Sequence, residues 1–163
     1  MLTPWLEAFP ATAKPLVEEI DHLLGYKLSK VIEEGPHSVL TATENAQPAI
    51  MASSILILRV LEKEFGFKTN ERIDVVLGHS LGEFAALVAG GYVQFEDSLY
   101  LVRKRAEVMA DCTRRACAEH GGEYGMIALV TEPNHLMPLI EAIHEFLGHY
   151  STCLLYTSDA ADE

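Results

Sequence analysis

The chain has 163 residues, of which 49% are hydrophobic and 22% charged, with a formal net charge of -12, the profile of a single soluble globular domain. That charge excludes broad electrostatic attraction to nucleic acid or anionic lipid. The longest apolar run, Ala49–Leu58, is too short for a bilayer and continues into Arg59 and Glu62, so neither nucleic acid nor membrane is expected as a partner.

The N-terminus lacks a basic region followed by an apolar one, so no signal peptide is visible. A first helix is predicted from about Thr12 to Leu24, with Pro15 near its first turn, Gly25 as its stop, and Leu16, Ile20, Leu23 and Leu24 as its apolar face. A short helix over Lys27–Glu33 ends at Gly35-Pro36. A long one follows from about Gln47 to Phe65, with Ile50, Met51, Ile55, Leu58 and Leu61 as its buried positions. The pattern then changes: Ile73-Asp74-Val75-Val76-Leu77-Gly78 is a short β-branched run bounded by turn residues and predicts a buried strand. Leu81–Ala89 is helical up to Gly90-Gly91, and a further helix is predicted from Glu96 or Asp97 to about Ala118, broken by Gly121-Gly122. A second strand is predicted over Met126–Val130, then a helix from Asn134 to Phe146. Helices set around strands that lead into tight turns predict an α/β architecture.

Three cysteines, Cys112, Cys117 and Cys153, have neither metal-ligand spacing nor an even-numbered framework; they fit a reducing compartment, cytoplasm or mitochondrial matrix, and no metal is expected. Residues 153–163 back-translate to a string resembling a transposase adapter used in sequencing libraries. They are read as a non-native tail, and the native chain is expected to continue past Thr152 with other residues.

Gly78-His79-Ser80-Leu81-Gly82 fits G-x-S-x-G between a predicted strand and a predicted helix, the context in which a serine becomes an exposed nucleophile. Such a turn strains the serine backbone, so small neighbours are required, and Gly78 and Gly82 are expected to supply the room. The hydroxyl then sits over the positive helix end, where the Leu81 N–H is the natural oxyanion donor. A serine that merely caps the helix is the alternative. His79, adjacent at a diverging turn, is read as a packing or hydrogen-bonding residue rather than a general base. Glu83 suits the helix dipole. Downstream, Arg103-Lys104-Arg105 reads from spacing alone as a solvated helix face.

The string Gly78-His79-Ser80-Leu81-Gly82-Glu83-Phe84-Ala85-Ala86-Leu87, followed by Gly90-Gly91, resembles the acyltransferase family of fatty-acid and polyketide synthesis, the malonyl-CoA:acyl-carrier-protein transacylases in particular. Gln47-Pro48-Ala49 is similar to the family's T-Q-P-A segment with Ala46 in place of threonine, and Leu101-Val102-Arg103-Lys104-Arg105 resembles its carboxylate-binding helix. The similarity runs from about Met1 to Val130.

The resemblance implies a hydrolase-like parallel-sheet core, truncated, over 1–125 and the start of a small ferredoxin-like subdomain over 126–152. It assigns Ser80 as nucleophile, Gln47 as a substrate-binding residue and Arg105 as the group that grips a malonyl carboxylate. A planar guanidinium does this with two parallel bonds, and it disfavours acetyl groups because a buried arginine left unpaired is costly. The implied substrate is malonyl-CoA and the implied partner an acyl carrier protein bearing phosphopantetheine, with no permanently bound cofactor and a monomer when complete. The family's G-Q-G-S-Q segment precedes the equivalent of Met1, and its catalytic histidine matches none of His22, His37, His120, His135, His144 or His149. The chain is therefore expected to be a fragment that does not turn over alone. A serine esterase, a non-catalytic carrier-docking fragment and an acyltransferase domain cut from a larger synthase are the rival readings.

Overall fold

Glycines set most of the helix ends in this chain. The computed structural model describes residues 2–124 and 129–147. In chain order these form α1 (Thr3–Ala8), α2 (Pro10–Leu24), α3 (Leu28–Glu34), α4 (His37–Thr41), α5 (Thr43–Phe65), α6 (Thr69–Arg72), α7 (Leu81–Ala89) and α8 (Phe95–His120). Gly25 and Gly66 close α2 and α5 with positive φ (72° and 65°), a conformation that costs a Cβ-bearing residue dearly. The predicted helices over 12–24, 27–33, 81–89 and 96–118 are present within a few residues; α1, α4 and α6 are short additions.

Two helices differ from expectation in instructive ways. α5 begins at Thr43, four residues before Gln47, so Pro48 lies inside the helix instead of at its first turn. Its buried positions are Ala49, Met51, Ala52, Ile55, Leu56 and Val60, while Ile50 is exposed and Leu58 and Leu61 are half-buried. In α2 the buried face is Ala13, Val17, Ile20 and Asp21, with Leu23 exposed. In both helices alanines (Ala13; Ala49 and Ala52) sit among the buried large residues, and such small side chains let neighbouring helices approach closely.

α5 is the centre of the first of two compact units (1–124 and 125–163). It packs against α8, α7 and α2. Met51, Ala52, Ile55, Leu99 and Val102 join Ile20 and Leu28 in one core, and Leu56, Val60, Val17, Ala13 and Leu2 form a second on the α1–α2 side. Trp5, Phe9 and Phe65 close that end by ring contacts.

The strand predicted over Ile73–Leu77 has no ladder: the segment is non-helical, no strand pairs with it among the described residues, and Val75 and Leu77 are exposed. A strand exists only where its N–H and C=O groups meet a neighbouring chain, and no described segment lies alongside to supply them. Of the strand predicted over Met126–Val130, residues 125–128 lie outside the described residues, and Leu129 and Val130 are irregular. The second unit otherwise shows a 3₁₀ turn at Pro133–His135 leading into α9 (Leu136–Leu147). The tail at 153–163 also lies outside the described residues, as does Met1. Among those described, no helix is long and apolar enough to cross a membrane.

One buried carboxylate holds a helix junction. Asp21, near the end of α2, accepts from the Ser29 N–H (3.0 Å) and the Ser29 hydroxyl (2.6 Å), and Lys27 Nζ lies 3.5 Å away. α3 has no side-chain cap of its own, so Asp21 satisfies one of its free N–H groups from the preceding helix. Asp21→Ala is expected to lower the unfolding free energy by about 1–3 kcal/mol, because it leaves the half-buried Ser29 donors without their charged acceptor. Urea denaturation measures this; an unchanged midpoint would show the junction to be incidental.

Candidate active site

The segment from Gly78 to Gly82 reverses direction within a few residues and enters α7 at once. Ser80 takes φ 52° and ψ -104°, the one positive φ outside glycine among the described residues. Such backbone costs of order 1–3 kcal/mol and survives only where the surroundings impose it. The imposition comes from Gly78: a Cβ there would lie 2.1 Å from both the carbonyl carbon and the oxygen of Gly82 and 2.6 Å from the Glu83 nitrogen. These are backbone atoms that cannot step aside. Gly82 differs from expectation, since a Cβ on it would meet nothing within 4 Å. The steric demand of the turn rests on Gly78, against which the Gly82 backbone packs.

Ser80 does not cap α7 with its hydroxyl, so the capping alternative is set aside. The first turn is held instead by backbone bonds, from Gly82 N–H to the His79 carbonyl (2.8 Å) and from Glu83 N–H to the Ser80 carbonyl (3.3 Å). Among the described residues the Leu81 N–H has no backbone acceptor outside the helix. It stands at the positive end of α7, where an oxyanion would be stabilised. Glu83 lies in that first turn, and His79 is exposed with no bond to Ser80.

α8 brings Arg105 to the same point. Its Nη2 donates to Ser80 Oγ at 2.8 Å, and its Nη1 donates to Gln47 Oε1. Gln47 is buried, and its Nε2 donates to Thr43 Oγ1 (2.7 Å) and to Met109 Sδ (3.3 Å). That set fixes the amide: acceptors surround the nitrogen, so only the oxygen can face the guanidinium. The structure thus joins Ser80, Arg105 and Gln47 in one chain of hydrogen bonds. Thr43 and Met109 were not singled out from sequence, although each lies one helical turn from a residue that was, Thr43 four before Gln47 and Met109 four after Arg105.

The basic run divides in two. Lys104 pairs with Glu107 (2.8 Å), and Arg103 Nε pairs with the same carboxylate (2.7 Å). The Lys104 hydrogen bond, then that from Arg103, holds the Glu107 carboxyl below its ordinary range, and Glu107 in turn raises Lys104. Arg103 and Lys104 are thereby balanced by an acid. Arg105 alone of the three faces the serine, held by a neutral amide and a hydroxyl. A cavity of about 680 Å³ between α5, α6 and α7, lined by Ile73, Val75, Val76, Val88 and Tyr92, includes none of these groups.

Comparison with known proteins follows the same residues. A family model described as an acyl transferase domain matches residues 6–130. The chain is 44% identical over 124 residues to a malonyl CoA-acyl carrier protein transacylase of Bacillus subtilis, covering 76% of this chain and 35% of that protein. Among solved structures it is similar to an acyl-carrier-protein S-malonyltransferase from Bartonella henselae (32% identity, TM-score 0.69, 90% of this chain and 44% of the other). A complex of a type II polyketide-synthase acyl-carrier protein with its malonyl-transacylase also matches (34% identity, TM-score 0.61, 68% of this chain and 34% of the other). The chain spans about a third of the length of the curated relatives it matches. With residues 6–130 inside the family model, and with the serine elbow and its arginine joined in the structure, this chain belongs to the acyl transferase domain family.

Proposed function

We propose that the full-length protein moves a malonyl group from malonyl-CoA to the pantetheine thiol of an acyl carrier protein, through a malonyl ester on Ser80. The observation that carries this reading is the 2.8 Å hydrogen bond from Arg105 to Ser80 Oγ. A cation in contact with the nucleophile suits an acyl group that ends in a carboxylate. A plain esterase has no use for it. The names of the relatives support the same substrate and partner.

In this reading the malonyl carboxylate takes the guanidinium face that Ser80 Oγ occupies at rest, with two parallel bonds. Gln47 supports the substrate by holding the arginine. Ser80 Oγ bonds to the thioester carbonyl carbon, and the oxyanion formed is received by the Leu81 N–H. Collapse breaks the carbon–sulfur bond, and coenzyme A leaves as the thiol with the proton taken from Ser80. The carrier thiol then attacks the ester carbonyl, the carbon–oxygen bond breaks, and the thiol proton returns to Ser80. Both proton transfers need a general base, which the family resemblance assigns to a histidine outside residues 1–152. Residues 73–77 are read as one strand of the family's parallel sheet, and the segment after residue 125 as the start of the small ferredoxin-like subdomain.

Three substitutions test the reading. Ser80→Ala should abolish the adduct that intact-protein mass spectrometry detects after mixing with malonyl-CoA; an adduct persisting on the variant would sink the assignment. For Arg105→Ala, malonyl transfer should fall by about two orders of magnitude while acetyl transfer is unchanged or raised, since hydrogen bonds to a charged group are worth about 1.5–3 kcal/mol and only to the acyl group that makes them. Equal losses for both acyl groups would make Arg105 structural. Gly78→Ala should suppress adduct formation and lower stability by about 1–3 kcal/mol, the typical cost of overpacking; near-native labelling would mean the turn can relax.

A further inference from the structure

Pro48 leaves a gap in α5. It has no N–H, so the Glu44 carbonyl, four residues earlier, loses the partner that helix geometry would give it. Arg103 Nη1, from α8, donates to that carbonyl at 2.7 Å. The same nitrogen donates to Tyr26 Oη (3.2 Å), whose hydroxyl donates on to Asn45 Oδ1 (3.1 Å). The guanidinium carbon lies 4.9 Å from the Tyr26 ring centroid, within cation–π range. Glu107 anchors the other edge through Nε. Burial, chiefly, raises the Tyr26 pKa above its ordinary value. The residues gripped here, Glu44 and Asn45, are the turn immediately before Gln47.

We infer that Arg103 is a positioning residue: it replaces the helical hydrogen bond that Pro48 removes and so holds the first turn of α5, with Gln47, in register against Arg105. A surface ion pair with Glu107 alone would contribute little. The carbonyl bond is different, because it repairs a break in the element that presents Gln47. The link to acyl preference rests on the transacylase reading, but the positioning itself does not.

The test reads the guanidinium of Arg105 directly, through its rate of modification by phenylglyoxal in the full-length protein, mapped by peptide mass spectrometry. Arg59, paired with Glu19 and set against Phe95, is the internal control. Arg103→Leu should speed modification of Arg105 about tenfold, as expected when a local restraint opens without global unfolding, and leave Arg59 unchanged. Adding Pro48→Ala restores a donor at residue 48, so the double variant should return Arg105 to near its wild-type rate. That rescue has no counterpart if Arg103 is only a surface ion pair. An unchanged Arg105 rate in Arg103→Leu, a parallel rise of Arg59, or fast modification of Arg105 in the double variant would each overturn the inference. If the single variant does not fold, the double variant decides alone by the same criterion. Failure of the transacylase reading is visible separately, as an unaltered malonyl-to-acetyl ratio in Arg105→Ala.

Discussion

The packing of α5 against α8 is the constraint on which the rest depends. Gln47 in α5 and Arg105 in α8 are hydrogen-bonded across that contact, and Ala49, Ala52, Leu99 and Val102 from the two helices are buried in one core. Burial of Met51, Leu99 and Val102 fixes the separation of the two helices. A shift of one helix along the other would unmake the Gln47–Arg105 bond before it disturbed much apolar area. The core therefore sets the position of a polar group that the hydrophobic effect, being non-directional, could not place alone.

Strain and support are distributed unevenly around Ser80. The backbone at Ser80 is forced into a rare region by a close approach between Gly78 and the start of α7, while its hydroxyl is held from another helix altogether. The Ser80 side chain is thus oriented by two independent devices, one steric and local, the other polar and long-range in sequence. Neither contributes to the core, which accounts for a site that sits at its margin.

Much of this was legible in the residues. Gly25 and Gly90-Gly91 mark helix ends where they occur, and the elbow string by itself places Ser80 at the start of a helix. Two things were not legible. The composition predicts the long helix from about Gln47, yet it begins at Thr43 with Pro48 inside it, because a side chain 55 positions later supplies the hydrogen bond that the proline removes. No local pattern encodes that. The β-branched run at 73–77 has a strand's composition, but pairing is a property of a neighbour, and none lies among the described residues. The division of the basic run was equally hidden, since Arg103 and Arg105 are two residues apart and differ only in what faces them.

That difference has a consequence for encounter as well as for binding. Arg105 is restrained by an amide and a hydroxyl, so its positive charge is left uncancelled in a chain that carries 24 acidic residues against 12 basic ones. An anion approaching such a surface meets repulsion at distance and attraction only on arrival at Arg105. Salt screens charges separated by more than about 10 Å at ordinary ionic strength far more than groups in contact. Moderate salt should thus ease the approach of an anion while leaving its pairing with Arg105 largely intact, the reverse of the salt inhibition usual for electrostatically steered association.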